Sequence, residues 1–127
     1  MKVNGIMPLS NQIVPNSKER WWKYYDIAFG PVKLERLELY ESLFRQNASR
    51  PVRDILELGC GTGRWIIALG ERGYRMTGVD FDNVALTYAH EKSKKMGLCV
   101  RLIERDLASW APDDLYDAVI APNNTLK

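Results

Sequence analysis

Histidine and cysteine are scarce in this 127-residue chain, which holds one His and two Cys. Cys60 and Cys99 can build neither a disulfide framework nor a four-ligand zinc site, so the sequence points to a reducing compartment, the cytoplasm. Charge of one sign is also lacking: 18 Lys and Arg against 16 Asp and Glu leave +2, too small a surplus to mark a nucleic-acid or membrane-surface binder. No apolar run approaches the ~20 residues needed to cross a bilayer, and the opening MKVNGIMPLSNQ lacks the apolar stretch of a secretion signal. What is present is 46 % hydrophobic and 27 % charged residues with 9 Gly and 6 Pro, the composition of an ordinary globular protein. The length suits one domain.

Charge divides the chain in two. Residues 1–53 carry nine basic and five acidic side chains, residues 54–127 nine and eleven, with the turn-like NASRPVR at the change. Pro8, Pro15 and Gly5 make 1–16 a flexible tail without periodicity. Ser17 is a cap candidate for a helix over KERWWKYYDIAF that Gly30-Pro31 ends. A second helix follows, with Leu34, Leu37, Tyr40 or Glu41, and Phe44 as its apolar stripe, so 17–50 reads as a helical cap. From there to the end, 51–127 reads as one α/β unit. Strands are predicted over 54–58, 75–80, 99–105 and 116–122. Helices are predicted over 63–73 and over 83–97, with Asn83 as cap and Lys92, Lys94 and Lys95 favourable at the helix end. Strands alternating with helices indicate right-handed βαβ units and a parallel sheet.

The most informative stretch is ILELGCGTGR. Gly59, Gly61 and Gly63 fall between a strand and a helix, where a turn lets the backbone approach a ligand with no Cβ in the way. Asp80 ends the next strand about 20 residues later, the place from which a carboxylate accepts hydrogen bonds from ribose hydroxyls. A dinucleotide fingerprint would need Gly or Ala at position 64, which is Arg64, and this disfavours a nicotinamide dehydrogenase.

The spacing in ELGCGTG resembles motif I of the class I S-adenosylmethionine-dependent methyltransferases. VDFD, ERDL and YDAVIAPNN resemble that family's following motifs, so the likeness runs from about 54 to 127. It implies a Rossmann-like fold with strand order 3-2-1-4, helices on both faces and the N-terminal helices added. It also implies S-adenosylmethionine as cofactor, S-adenosylhomocysteine as product and a small-molecule acceptor methylated on nitrogen or oxygen. Carried over by position, Gly59, Cys60, Gly61 and Gly63 would form the seat, and Glu57 would face the cofactor's ammonium group. Asp80 would hold the ribose diol, Phe81 would pack on adenine, and Asp106 with the Leu107 amide would meet the adenine edge. Asn123 would lie where cofactor and acceptor sites meet. A YD near the N-terminus is also similar to small-molecule members, which makes Tyr25 and Asp26 further site residues.

The remaining features have plainer readings. Cys60 has no His spaced to activate it and is a small residue that fits the turn. His90 is a surface helix residue, the three lysines are a solvated helix end, and Trp110 is an anchor of core or loop. No catalytic residue is assigned. APNN lacks the form that holds a flipped DNA base, so no DNA partner is expected. The family sheet has seven strands and this sequence stops after the fourth. It therefore reads as a truncated chain, or as one whose open strand edge is covered in a homodimer. A non-catalytic module that binds S-adenosylmethionine, or a subunit that depends on a partner, is the alternative function.

Overall fold

The computed structural model describes residues 17–112 and 114–122. The tail expected over 1–16 and Asn123 lie outside them, as does the side chain of Ser17. In chain order the elements are α1 (Ser17–Phe29), α2 (Leu34–Asn47), β1 (Asp54–Leu58), α3 (Arg64–Glu71), β2 (Arg75–Asp80), α4 (Asn83–Lys95), β3 (Arg101–Glu104) and β4 (Ala118–Ile120).

The strands form one parallel sheet in the order β3-β2-β1-β4, as the α/β reading requires. β1 is central. Ile55 lies opposite Met76 of β2 and Ala118 of β4, and Ile55, Leu56 and Glu57 are fully buried. β4 lies at the sheet edge among the described residues, with Val119 57 % exposed.

Asp117, just before β4, accepts from the backbone amides of Arg53 and Asp54, both at 2.9 Å, and from Arg50 Nε at 2.7 Å. The two amides, with the arginine's help, hold its carboxyl at about 2. Beside it, Arg75 bonds both oxygens of Asp54 at 2.6 and 2.7 Å, joining the starts of β1 and β2.

The core forms where α3 lies against the sheet. Trp65, Ile66 and Leu69 recur at helical spacing, are buried, and join Ile55 and Met76 in one cluster. α2 adds Leu37 to that cluster, and the ring of Tyr40 packs 4.5 Å from that of Trp65. Leu34 does not join it. As the first residue of α2 it falls short of the core and is 56 % exposed.

Three other expectations are corrected. The cap of α4 is Asp82, whose Oδ1 accepts from the Val84 and Ala85 amides at 3.0 and 3.4 Å; Asn83 is already helical. β3 begins at Arg101 because the Leu98 amide is still held by the Ser93 carbonyl at the end of α4. β4 is confined to Ala118–Ile120, the residues in register with Ile55–Glu57 of β1; before it the Asp117 amide still donates to the Asp54 carbonyl at 2.8 Å, and after it Pro122 has no amide to donate.

Candidate functional site

A cleft of about 360 Å3 opens at the carboxyl ends of β1 and β2, where open parallel sheets bind ligands. Its floor is the glycine turn between β1 and α3. The amides of Gly59 and Cys60 both donate to the Val79 carbonyl, at 2.7 and 3.1 Å, which folds the turn back over the end of β2. The Gly61 amide donates to Asp80 Oδ2 at 2.8 Å, and Asp80 Oδ1 accepts from the Asp82 amide at 2.9 Å. Asp80 therefore braces the turn, and each oxygen keeps a lone pair for a further donor.

Two glycines are required by close approach. Gly63 begins α3 at φ 88°, and a Cβ there would stand 2.9 Å from the Ala89 Cβ, so it seats α3 against α4. In β2, a Cβ on Gly78 would stand 2.6 Å from Cys60 Sγ. The space left by Gly78 takes in the Cys60 side chain, which is buried. Burial, with the carboxyls of Glu57 and Asp80 nearby, pushes the Cys60 thiol far above the usual range, so it is no nucleophile.

Glu57 lies behind the turn, not on the cleft wall. It is fully buried and neither carboxyl oxygen has a hydrogen-bond partner. Burial first, and the Asp80 carboxyl second, push its pKa well up, against an opposing pull from Arg64.

The opposite wall comes from α1. Trp22 and Tyr25 face the cleft from successive turns, and the Trp22 ring passes 3.9 Å from where a Gly61 Cβ would be. Trp22 Nε1 donates to Asp82 Oδ2 at 3.0 Å. The helix is fastened at two further points. Asp26 accepts from Thr62 Oγ1 and from Lys92 Nζ, both at 2.5 Å. Arg64 Nε donates to the Gly30 carbonyl at 2.7 Å, beyond the end of α1. Lys92 is thus an ion-pair partner, unlike the solvated role expected of it, because α1 packs on α4 and brings Asp26 to it. Phe81 stands at the cleft mouth, 73 % exposed, and Leu107 reaches the wall from the segment after β3.

Of the residues singled out in the sequence, Gly59, Cys60, Gly61, Asp80, Phe81, Leu107 and Tyr25 come together around the cleft. Four do not line it. Glu57 is behind it, Gly63 is turned to α4, Asp26 is spent on Thr62 and Lys92, and Asp106 is exposed, its Oδ1 taken by the Ala108 amide at 2.9 Å. Trp22, Thr62, Arg64 and Asp82 line the cleft without having been assigned to it. For Asp82 a local signal existed, since it precedes a helical run as a cap residue does.

The residues present suit an amino acid joined to a nucleoside. They offer a carboxylate with spare lone pairs for vicinal hydroxyls and an exposed ring for a base, with a buried, unpartnered carboxyl behind the turn. Among the described residues no cluster of His, Cys, Asp and Glu fits a metal ion, and no helix is long and apolar enough to cross a membrane.

A family model described as a methyltransferase domain matches residues 55–127. The phosphatidylethanolamine N-methyltransferase of Cereibacter sphaeroides is 35 % identical over 107 residues, which are 79 % of this chain and 48 % of that protein. The cypemycin N-terminal methyltransferase of a Streptomyces sp is 33 % identical over 81 residues, 62 % of this chain and 32 % of that protein. This chain therefore spans less than half the length of either. A crystal structure of an S-adenosylmethionine-dependent methyltransferase from Clostridium acetobutylicum ATCC 824 superposes with a TM-score of 0.63 at 23 % identity. The superposition covers 82 % of this chain and 43 % of that one, and shares its fold.

Proposed function

Because this chain belongs to the methyltransferase-domain family, we propose that its cleft seats S-adenosylmethionine and that the protein methylates a small molecule carrying an amine or hydroxyl. The observation that carries the reading is Asp80 at the carboxyl end of β2, which braces the glycine turn through the Gly61 and Asp82 amides and keeps a lone pair on each oxygen for ribose hydroxyls.

When bound, the cofactor supplies a methyl group already activated on a sulfonium. The chain's own residues then have to bind, orient and exclude water. Asp80 accepts from ribose hydroxyls with the lone pairs its two amides leave free. Phe81 stacks on the base, and the Leu107 side of the cleft closes the base edge. Trp22 and Tyr25 cover the turn and shut water out of it, which strengthens the charged contacts beneath. Among the described residues the cleft wall holds no His, and its thiol is held protonated. An amine acceptor that arrives neutral needs orientation more than a base, and orientation alone can supply ~7–11 kcal/mol. The two N-methyltransferase relatives support the same acceptor class.

Titration calorimetry tests the reading. S-adenosylmethionine and S-adenosylhomocysteine should both give saturable heat, and NAD none. Asp80→Ala should weaken both by roughly 10- to 100-fold, the loss of a charged acceptor worth ~1.5–3 kcal/mol. Heat with NAD alone would overturn the assignment. A panel of amines and phenols, followed by mass spectrometry for a gain of one methyl group, tests the acceptor class.

A further inference from the structure

α1 is bound to the rest of the molecule mainly by polar contacts. Trp21, Tyr24, Ile27 and Phe29 on the helix are exposed, and its main packing partner is α4. The contacts that hold it gather on one face. Trp22 and Asp26 are one helical turn apart and point the same way, as do Trp22 and Tyr25. Asp26 spends one carboxyl oxygen on Thr62, within the glycine turn, and the other on Lys92, in the last turn of α4. Lys92 is not part of the cleft wall. A single carboxylate thus ties the aromatic wall to the floor of the cleft and to a helix outside it. The pair is only partly exposed, 31 % at Lys92 and 22 % at Asp26, so solvent does not cancel it as it would a surface pair.

We propose that Asp26 is a positioning residue: by clamping Thr62 and Lys92 it holds Trp22 and Tyr25 over the glycine turn, and opening of this clamp sets how fast the cofactor leaves. The inference rests on the cleft being the S-adenosylmethionine site. It differs from a purely structural role in what it predicts for rates. Loss of the clamp loosens α1, which keeps its Trp22–Asp82 and Arg64–Gly30 bonds, while the sheet and the turn's bonds to Val79 and Asp80 stay in place.

The test is stopped-flow release of S-adenosylhomocysteine from the wild type, Asp26→Ala, Lys92→Met and the double variant, with amide hydrogen exchange on the empty proteins. Asp26→Ala should release about tenfold faster or more, and Lys92→Met should go the same way by a smaller factor. The double variant should be no faster than Asp26→Ala alone, because both changes break one contact. In the empty variants, faster exchange should be confined to α1. Release within twofold of the wild type in Asp26→Ala would overturn the clamp, as would fully additive effects or faster exchange spread through β1 and β2. If the wild type bound no S-adenosylhomocysteine, the functional reading would fall with it. A wild type that binds, beside an Asp26→Ala variant that releases no faster, sinks the clamp alone.

Discussion

A buried carboxyl with both oxygens unbonded has two ways to exist near neutral pH, protonated or beside a cation. Burial of Glu57 and the neighbouring Asp80 favour the proton. Because its folded-state pKa lies above the ordinary 4.5, folding takes up a proton. The stability this supports is complete below the ordinary value and is lost as pH rises through the raised one. The thermal midpoint of the ligand-free protein should therefore fall as pH rises above the ordinary 4.5, and Glu57→Gln, which is always neutral, should flatten that decline. Parallel pH profiles for the two would refute this. Asp80 was legible in the sequence because it ends the strand that follows the glycine turn, and Phe81 only through the family resemblance. Trp22 was not, because its indole bonds Asp82 across 60 residues, and no local pattern encodes such a pair.

Among the elements, β4 has a short ladder to β1 and relies on what precedes it. Asp117 receives the Arg53 and Asp54 amides and Arg50, which lowers its carboxyl to about 2. A lowered value works in the opposite sense to that of Glu57. Its contribution is present above the usual 3.8 and is lost as pH falls toward 2. Asp117→Asn should make the amides of Ala118–Ile120 exchange faster at neutral pH, with β2 and β3 little changed. Equal exchange in β4 of the variant and the wild type would sink this account. The extents of β1 and β2 were readable because charged residues and glycines bound them. Those of β3 and β4 were overestimated, since pairing with β2 and β1 decides where a ladder starts and apolar content alone does not. The cap at Asp82 was missed by one position, since Asp82 and Asn83 both suit a cap by type.

On the scale of the whole molecule, Trp65 links the layers. It lies in the core beside Ile55 and Met76, with Tyr40 of α2 packed on its ring and the Arg36 guanidinium 5.5 Å above it. Trp65→Ala should cost about 3–5 kcal/mol, a large share of the ~5–15 kcal/mol that stabilises a domain. Urea unfolding followed by circular dichroism checks this, and a loss below about 1 kcal/mol would show that α2 holds without it. The fastening of α1 has a consequence in time as well. Asp26 precedes Thr62 by 36 residues and Lys92 by 66. At about 5–20 residues per second a ribosome takes roughly 3–13 s to deliver Lys92 after Asp26. For that interval Trp22 and Tyr25 have neither the glycine turn nor α4 to dock on. The aromatic wall of the cleft is made before the rest of the cleft and can settle only after it.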